Sequence, residues 1–218
     1  KVMRSLLLLP FLLLSTPPTT YPELKASIVQ RRTDLGSAYT RSTRKDTVIT
    51  SARAYLLTAI DAQFEHWKGT PWDFNGTTRI PGEGTIACGY FVTTVLQDAG
   101  FDLPRYKWAQ LAAEPMIRKV APTGKAFSNV PVATVEAWLR SQDDGLYAVG
   151  LDSHVGFIRV KAGVALFVHS NYYQRDIGVM AEPLEGHNPL ADSHYRYIGR
   201  LLSDEMVVRW LEHRPLGP

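Results

Sequence analysis

The chain has 218 residues, 45% of them hydrophobic and 21% charged, a composition typical of one globular domain with a substantial core rather than of a disordered chain. Its formal net charge of +3 comes from 24 basic and 21 acidic residues, a balance too even to indicate a nucleic-acid partner. Its single cysteine cannot form a disulfide within the chain.

The N-terminus has the pattern of a signal peptide. Lys1 and Arg4 are followed by the apolar run SLLLLPFLLL over residues 5–14 and then by the polar, helix-breaking stretch STPPTT. This apolar run is too short to span a bilayer. We therefore expect residues 1–20 to direct export to the periplasm or the medium, with no stable membrane span. Residues 21–48 would form an N-terminal extension without a clear hydrophobic period, and residues 49–218 a single domain.

Hydrophobic periodicity predicts the remaining elements in chain order. Helices are expected over residues 51–67, over a segment that is capped at Thr85, has Cys88 in its first turn and ends before Gly100, and over residues 131–140 and 204–213. Strands are expected over residues 145–151, 154–160, 164–171 and 195–202. The predicted fold class is α+β, with the helices gathered on one side of a small antiparallel sheet.

Cys88 begins the apolar stripe of its helix, which continues at the spacing of one buried face with Phe91, Val92, Val95, Leu96 and Ala99. We expect Gly84 and Thr85 to supply the turn and N-cap before it. At a helix N-terminus, unpaired N–H groups and the helix dipole stabilise a thiolate, and they can also hold an oxyanion. Free cysteines are often inert core residues, so Cys88 needs a base before it can be interpreted as a nucleophile.

His154 and His169 lie on the two predicted strands of a hairpin whose turn is Ala162-Gly163. If Lys161 pairs with Val164, both imidazoles project from one face and are diagonal neighbours within side-chain reach. A three-residue loop would send them to opposite faces. Gly156 then lies opposite His169 and leaves room beside it.

A helix that begins with cysteine, followed by histidines on two adjacent strands, is the order found in papain-like cell-wall cysteine peptidases of the NlpC type, and this sequence resembles them. The similarity is carried by CGYFVTTVLQDAGFDLPRYKWAQ, SHVGFI and FVHS, with GTPWDFNG upstream. The resemblance implies that Cys88 is the nucleophile, His154 the general base and His169 the residue that orients His154. Trp72, at the position of a family tyrosine, and Ser153 are the candidate substrate-binding residues.

The expected function is an exported cysteine hydrolase with a papain-like domain, which cleaves amide bonds without a cofactor. The resemblance alone implies the substrate class, the peptide stem or cross-links of bacterial peptidoglycan. The sequence leaves open which bond is cleaved, whether water or another amine accepts the acyl group, and the oligomeric state.

Two alternatives of other classes remain open at this point. His154 and His169 with a carboxylate such as Asp152 are suitable ligand types for a zinc hydrolase, although this interpretation leaves Cys88 without a role. The second alternative is a non-catalytic wall-binding module on the same scaffold, because ACGY stands where the family usually has Asp-Cys-Ser-Gly.

Overall fold

The computed structural model describes residues 20–217, which form eight helices and six strands. The helices are α1 (Tyr21–Arg41), α2 (Lys45–Trp67), α3 (Cys88–Asp98), α4 (Arg105–Ala109), α5 (Ala113–Val120), α6 (Val132–Arg140), α7 (Pro189–Asp192) and α8 (Asp204–Leu211). The strands are β1 (Gly124–Ser128), β2 (Gly145–Leu151), β3 (Val155–Lys161), β4 (Val164–Ser170), β5 (Val179–Pro183) and β6 (Tyr195–Arg200).

The six strands form one antiparallel open sheet in the order β1-β6-β2-β3-β4-β5. This confirms the predicted α+β class. The four predicted strands correspond to β2, β3, β4 and β6, with ends that agree to within two residues. The edge strands β1 and β5 were not predicted from the sequence. Among the described residues, no helix combines the length and the apolar character needed to cross a membrane.

Helices cover both faces of the sheet. Ala148 and Phe157 project into one apolar cluster, which includes residues of α1, α2, α3, α5 and α8. Val149 and Ile158, their neighbours along the strands, project into a second cluster with residues of α6 and α7. The prediction that helices gather on one side is therefore wrong. Every residue of β2 is buried, so this strand needs an apolar partner on each face.

The first helix belongs to the same core as the rest of the chain. Leu24 and Ile28 of α1 are buried in the larger cluster, and the Trp67 indole donates a hydrogen bond of 2.9 Å to the Tyr21 hydroxyl. The expected boundary between residues 48 and 49 falls inside α2. The predicted signal peptide lies outside the described residues except for Thr20, whose hydroxyl accepts a hydrogen bond from the Glu23 backbone N–H and caps α1.

The hairpin of β3 and β4 has the predicted register. Lys161 pairs with Val164, and the turn residues Ala162 and Gly163 both have positive φ, at 51° and 75°. Such a turn matches the twist of the strands that it joins. The Asp144 carboxylate accepts hydrogen bonds from both turn N–H groups, at 2.6 and 3.4 Å, and supports this turn from the start of β2.

Helix α3 begins at Cys88 itself. Its N-cap is Ala87, with no side-chain cap, so the expectation that Thr85 caps this helix is wrong. The expected end is confirmed, because Gly100 has φ of 93° and the Phe101 N–H donates to the Leu96 carbonyl at 3.1 Å. The other predicted helices correspond to α2, α6 and α8.

We expect Gly156→Ala to lower the free energy of unfolding by about 1–3 kcal/mol, the usual cost of overpacking. An added Cβ would lie 2.6 Å from the Phe167 ring and 2.9 Å from the His169 Cβ. Urea denaturation at pH 7 measures the loss. Gly145→Ala in β2 is the matched control, because its Cβ would meet its nearest neighbour at an ordinary 3.5 Å. Equal stabilities for the two variants would contradict the close packing at Gly156.

Candidate functional site

A cavity of about 620 Å³ brings together four of the five predicted site residues. Cys88, His154, Trp72 and Ser153 all line it. The fifth, His169, is buried behind His154 and contacts its ring. More than eighty residues separate Trp72 from His154 along the chain, so only the tertiary structure brings them to one cavity.

The segment before Cys88 is tied to the sheet and to its own loop. The Ser170 hydroxyl, at the end of β4, donates a hydrogen bond of 2.6 Å to the Ile86 carbonyl. The Ala87 N–H donates to the Gly76 carbonyl at 2.9 Å. A Cβ added at Gly89 would lie 2.3 Å from the Ala109 carbonyl oxygen, so α3 and α4 approach closely at this point. These contacts fix the start of α3 next to the start of β3.

The two histidines form a hydrogen-bonded chain that ends on a carboxylate. His154 Nε2 and His169 Nδ1 are 2.8 Å apart, and His169 Nε2 is 2.7 Å from Glu182 Oε1. The Asn171 amide N–H₂ also donates to Glu182 Oε1, at 3.3 Å. His154 is 2% exposed and His169 is fully buried, so these polar groups have each other, rather than water, as partners. The predicted contact between the imidazoles is present.

Glu182 is the member of this hydrogen-bond chain that was not predicted from the sequence. It lies on β5 opposite Phe167 of β4, which places it diagonally across from His169 on the same face of the sheet. The stretch VMAEP is short and carries no clear alternation, so its pairing with β4 was not predictable from local pattern. Glu182 lies on β5, two strands away from β3, which His154 precedes, so only the assembled sheet brings the two residues into one network.

Unsatisfied polar atoms concentrate around this cavity. In residues 20–217, the buried side-chain nitrogens without a hydrogen-bond partner are His154 Nδ1, Trp72 Nε1 and Arg105 Nη1. The first two belong to residues that line the cavity, and the Arg105 guanidinium lies 4.9 Å from the ring of Tyr90, which also lines it. Buried unpaired groups are costly and rare, and their clustering is typical of a functional site.

Burial sets the protonation states of the cysteine and both histidines. It raises the pKa of the Cys88 thiol above its usual value, and hydrogen bonding from the Val155 and Gly89 backbone N–H groups offsets this only in part. Burial lowers the pKa of His154 well below its usual value, with a further contribution from His169, whose own pKa is lowered to about 3. The expected thiolate is therefore not favoured in the free protein, because desolvation outweighs the backbone hydrogen bonds to the sulfur.

Trp72 is held in the wall of the cavity by backbone and ring contacts. The backbone N–H of Trp72 donates to the Arg175 carbonyl at 2.8 Å, and the Trp72 ring lies 5.9 Å from that of Tyr172. The Tyr172 ring in turn lies 5.1 Å from the His154 imidazole. Ser153 is exposed and precedes His154 at the rim.

The carboxylate proposed for a zinc site points elsewhere. Asp152 accepts hydrogen bonds from the backbone N–H groups of His194 and Tyr195, at 2.7 and 3.0 Å. Within residues 20–217, no group of three or more His, Cys, Asp or Glu side chains has the arrangement of a metal site. The geometry therefore does not favour the zinc alternative.

No protein-family model, curated protein or solved structure matches this chain. The resemblance to NlpC-type peptidases thus remains an expectation from the motifs, and the geometry described above carries the functional argument.

The raised pKa predicts how Cys88 reacts with iodoacetamide. Because the pKa of the thiol is raised, we expect the alkylation rate of the folded protein to rise only above the pH range of an ordinary thiol, whose pKa is about 8.5. His154→Gln should leave this midpoint nearly unchanged, because His154 is already neutral at these pH values. His66→Gln on α2 is the control.

Intact-protein mass spectrometry at successive pH values measures the rate at this single cysteine. A wild-type midpoint below pH 7 that moves upward in His154→Gln would show a thiolate–imidazolium pair and overturn the neutral assignment.

Proposed function

We propose that this protein is a cysteine hydrolase that cleaves amide bonds, with Cys88 as nucleophile and His154 as general base. The observation that carries the proposal is the unpaired, buried Nδ1 of His154 in the cavity that also contains Cys88. A base needs a free acceptor atom, and Nδ1 of His154 has no protein partner in this cavity and is therefore available for that role.

The hydrogen-bond chain supports the required tautomer. For Nδ1 to accept the thiol proton, His154 must carry its own proton on Nε2 and donate it to His169 Nδ1. His169 then carries its proton on Nε2 and donates it to Glu182 Oε1, over 2.7 Å. Burial raises the pKa of Glu182. In its ionised form Glu182 only accepts, and it then sets the direction of both hydrogen bonds. The lowered pKa of His154 keeps Nδ1 unprotonated at neutral pH.

In the proposed reaction, Nδ1 of His154 takes the thiol proton as the Cys88 sulfur attacks the substrate carbonyl carbon. A C–S bond forms and the carbonyl oxygen becomes an oxyanion, which the first N–H groups of α3 can bind because they have no intrahelical acceptor. The C–N bond then breaks, and His154 gives its proton to the leaving amine. Water attacks the thioester with His154 again as base, and this step releases a carboxylic acid and the free thiol.

The proposed substrate class is the peptide stem or cross-links of peptidoglycan, and its support is the resemblance of the motifs around Cys88, His154 and His169. Purified protein is incubated with soluble peptidoglycan fragments, and mass spectrometry identifies any new amine and carboxyl termini. A new terminus identifies the bond.

We expect a graded loss of this activity. Cys88→Ser should abolish turnover, and His154→Gln should lower kcat by roughly 10²–10⁴-fold, the usual contribution of a general base. His169→Asn should cost less, because an amide retains part of the orienting hydrogen bond. Turnover of Cys88→Ser equal to that of the wild type would exclude Cys88 as the nucleophile. Equal wall binding by both forms, with no new terminus from either, would favour the non-catalytic binding module.

Glu182 provides a separate test of the tautomer argument. Glu182→Ala should lower kcat, but by less than His154→Gln, for which we expect a loss of roughly 10²–10⁴-fold. KM should be nearly unchanged, because Glu182 does not line the cavity. Glu182→Gln should recover part of the activity, since its amide oxygen can still accept from His169. Glu185→Gln, an exposed residue of the next segment, is the matched control. A change in KM alone would contradict a positioning role.

A further inference from the structure

The lining of the Cys88 cavity is neutral. Its walls include the aromatic rings of Trp72, Phe74, Tyr90 and Tyr172, and its polar side chains are amides and hydroxyls such as Asn75 and Gln110. No carboxylate, ammonium or guanidinium group is among the fourteen lining residues. His154, the one titratable base of the lining, is held neutral by its lowered pKa.

This neutrality distinguishes the cavity from four other cavities in the described part of the chain. A cavity of the same volume, about 620 Å³ between α2 and the β3–β4 hairpin, is lined by Asp61, Glu65, Lys68 and Arg159 among others. Each of the remaining three has at least one Arg or Glu in its lining. Charged residues make up 21% of the sequence. The neutral lining is therefore a local property of the Cys88 cavity.

Two arginines lie against the aromatic rings of the wall. The Arg175 guanidinium is 4.9 Å from the Trp72 ring, and Arg105 is 4.9 Å from the Tyr90 ring. Arg105 is 2% exposed and is bound to the Thr94 hydroxyl at 2.7 Å and to the Thr77 carbonyl at 3.0 Å. Neither arginine is part of the cavity lining, so the cavity surface at these positions consists of the rings.

We infer that the cavity selects a neutral acyl donor, an amide whose groups next to the scissile bond carry no free carboxylate or amine. This inference rests on the proposed function, because only a reactive Cys88 makes the cavity a substrate site. A charged group in this lining would lose its hydration without gaining a counter-charge. A neutral group keeps its hydrogen bonds through the amides and hydroxyls and packs a flat or apolar face on the rings. For a peptide substrate, a carboxamide beside the bond is preferred to a carboxylate.

A pair of reagents that differ in charge tests the cavity without knowledge of the substrate. Iodoacetamide is neutral and iodoacetate is anionic, and in both the sulfur displaces iodide. The measured quantity is the rate of iodoacetamide divided by the rate of iodoacetate at Cys88, normalised to the same ratio for 2-mercaptoethanol. We expect this normalised ratio to exceed about ten, because the anion meets no oppositely charged side chain in the lining. Asn75→Lys, at an exposed position in the lining, should reduce this ratio toward one. Gln30→Lys on α1 adds the same charge outside the cavity and should leave the ratio unchanged.

A normalised ratio near one, or faster reaction with iodoacetate, overturns the inference while leaving the hydrolase proposal in place. So does an equal response to Asn75→Lys and Gln30→Lys, since the charge of the cavity would then not control access.

A second experiment distinguishes a failure of the inference from a failure of the proposed function. Two acyl aryl esters, identical except for a carboxamide or a carboxylate beside the carbonyl, are offered to the folded protein, and the acyl adduct at Cys88 is measured by mass spectrometry. Faster acylation by the carboxamide ester supports the inference, and equal rates overturn it. If neither ester acylates Cys88 while iodoacetamide still alkylates it, the proposed function fails and the inference fails with it.

Discussion

The hydrogen bond between His154 and His169 depends on the register of the β3–β4 hairpin, and much of the site depends on that bond. The two-residue turn fixes which side chains face each other, and an insertion of one residue would send the imidazoles to opposite faces. Gly156 leaves the space that the Phe167 ring and the Cβ of His169 occupy. The end of β4 also anchors the segment before Cys88, through the Ser170 hydroxyl. One hairpin thus positions both the proposed base and the proposed nucleophile.

Burial determines the chemistry of these groups as strongly as their spacing does. A buried polar network is stable only when its members are paired. Here consecutive hydrogen bonds join His154 to His169, His169 to Glu182, and Glu182 to Asn171. One acceptor, Nδ1 of His154, is left open. The same desolvation favours the neutral forms of Cys88 and His154, which points to proton transfer during attack rather than to a preformed ion pair.

The neutral cavity and the helix N-terminus act together in the proposed reaction. No charged side chain of the lining competes for the N–H groups at the start of α3, so in the proposed reaction these groups are available to a developing oxyanion. Arg105 keeps the loop around Thr77 in place from outside the lining. The cation thus contributes to the shape of the cavity without contributing charge to its surface.

Local sequence pattern was sufficient to predict the end of α3 before Gly100, the strand β2 and the register of the histidine hairpin, but it placed the cap of α3 at Thr85 instead of at Ala87. Turn length, glycine conformation and side-chain period act over a few residues, which is why these features could be predicted. The packing of distant segments instead places α6 and α7 on the second face of the sheet, puts α1 in the core and brings Glu182 behind His169. It also decided the direction of the Cys88 pKa. The pairing of β5 with β4 and the loss of water around a side chain both depend on residues far apart in the chain, and no local pattern encodes them.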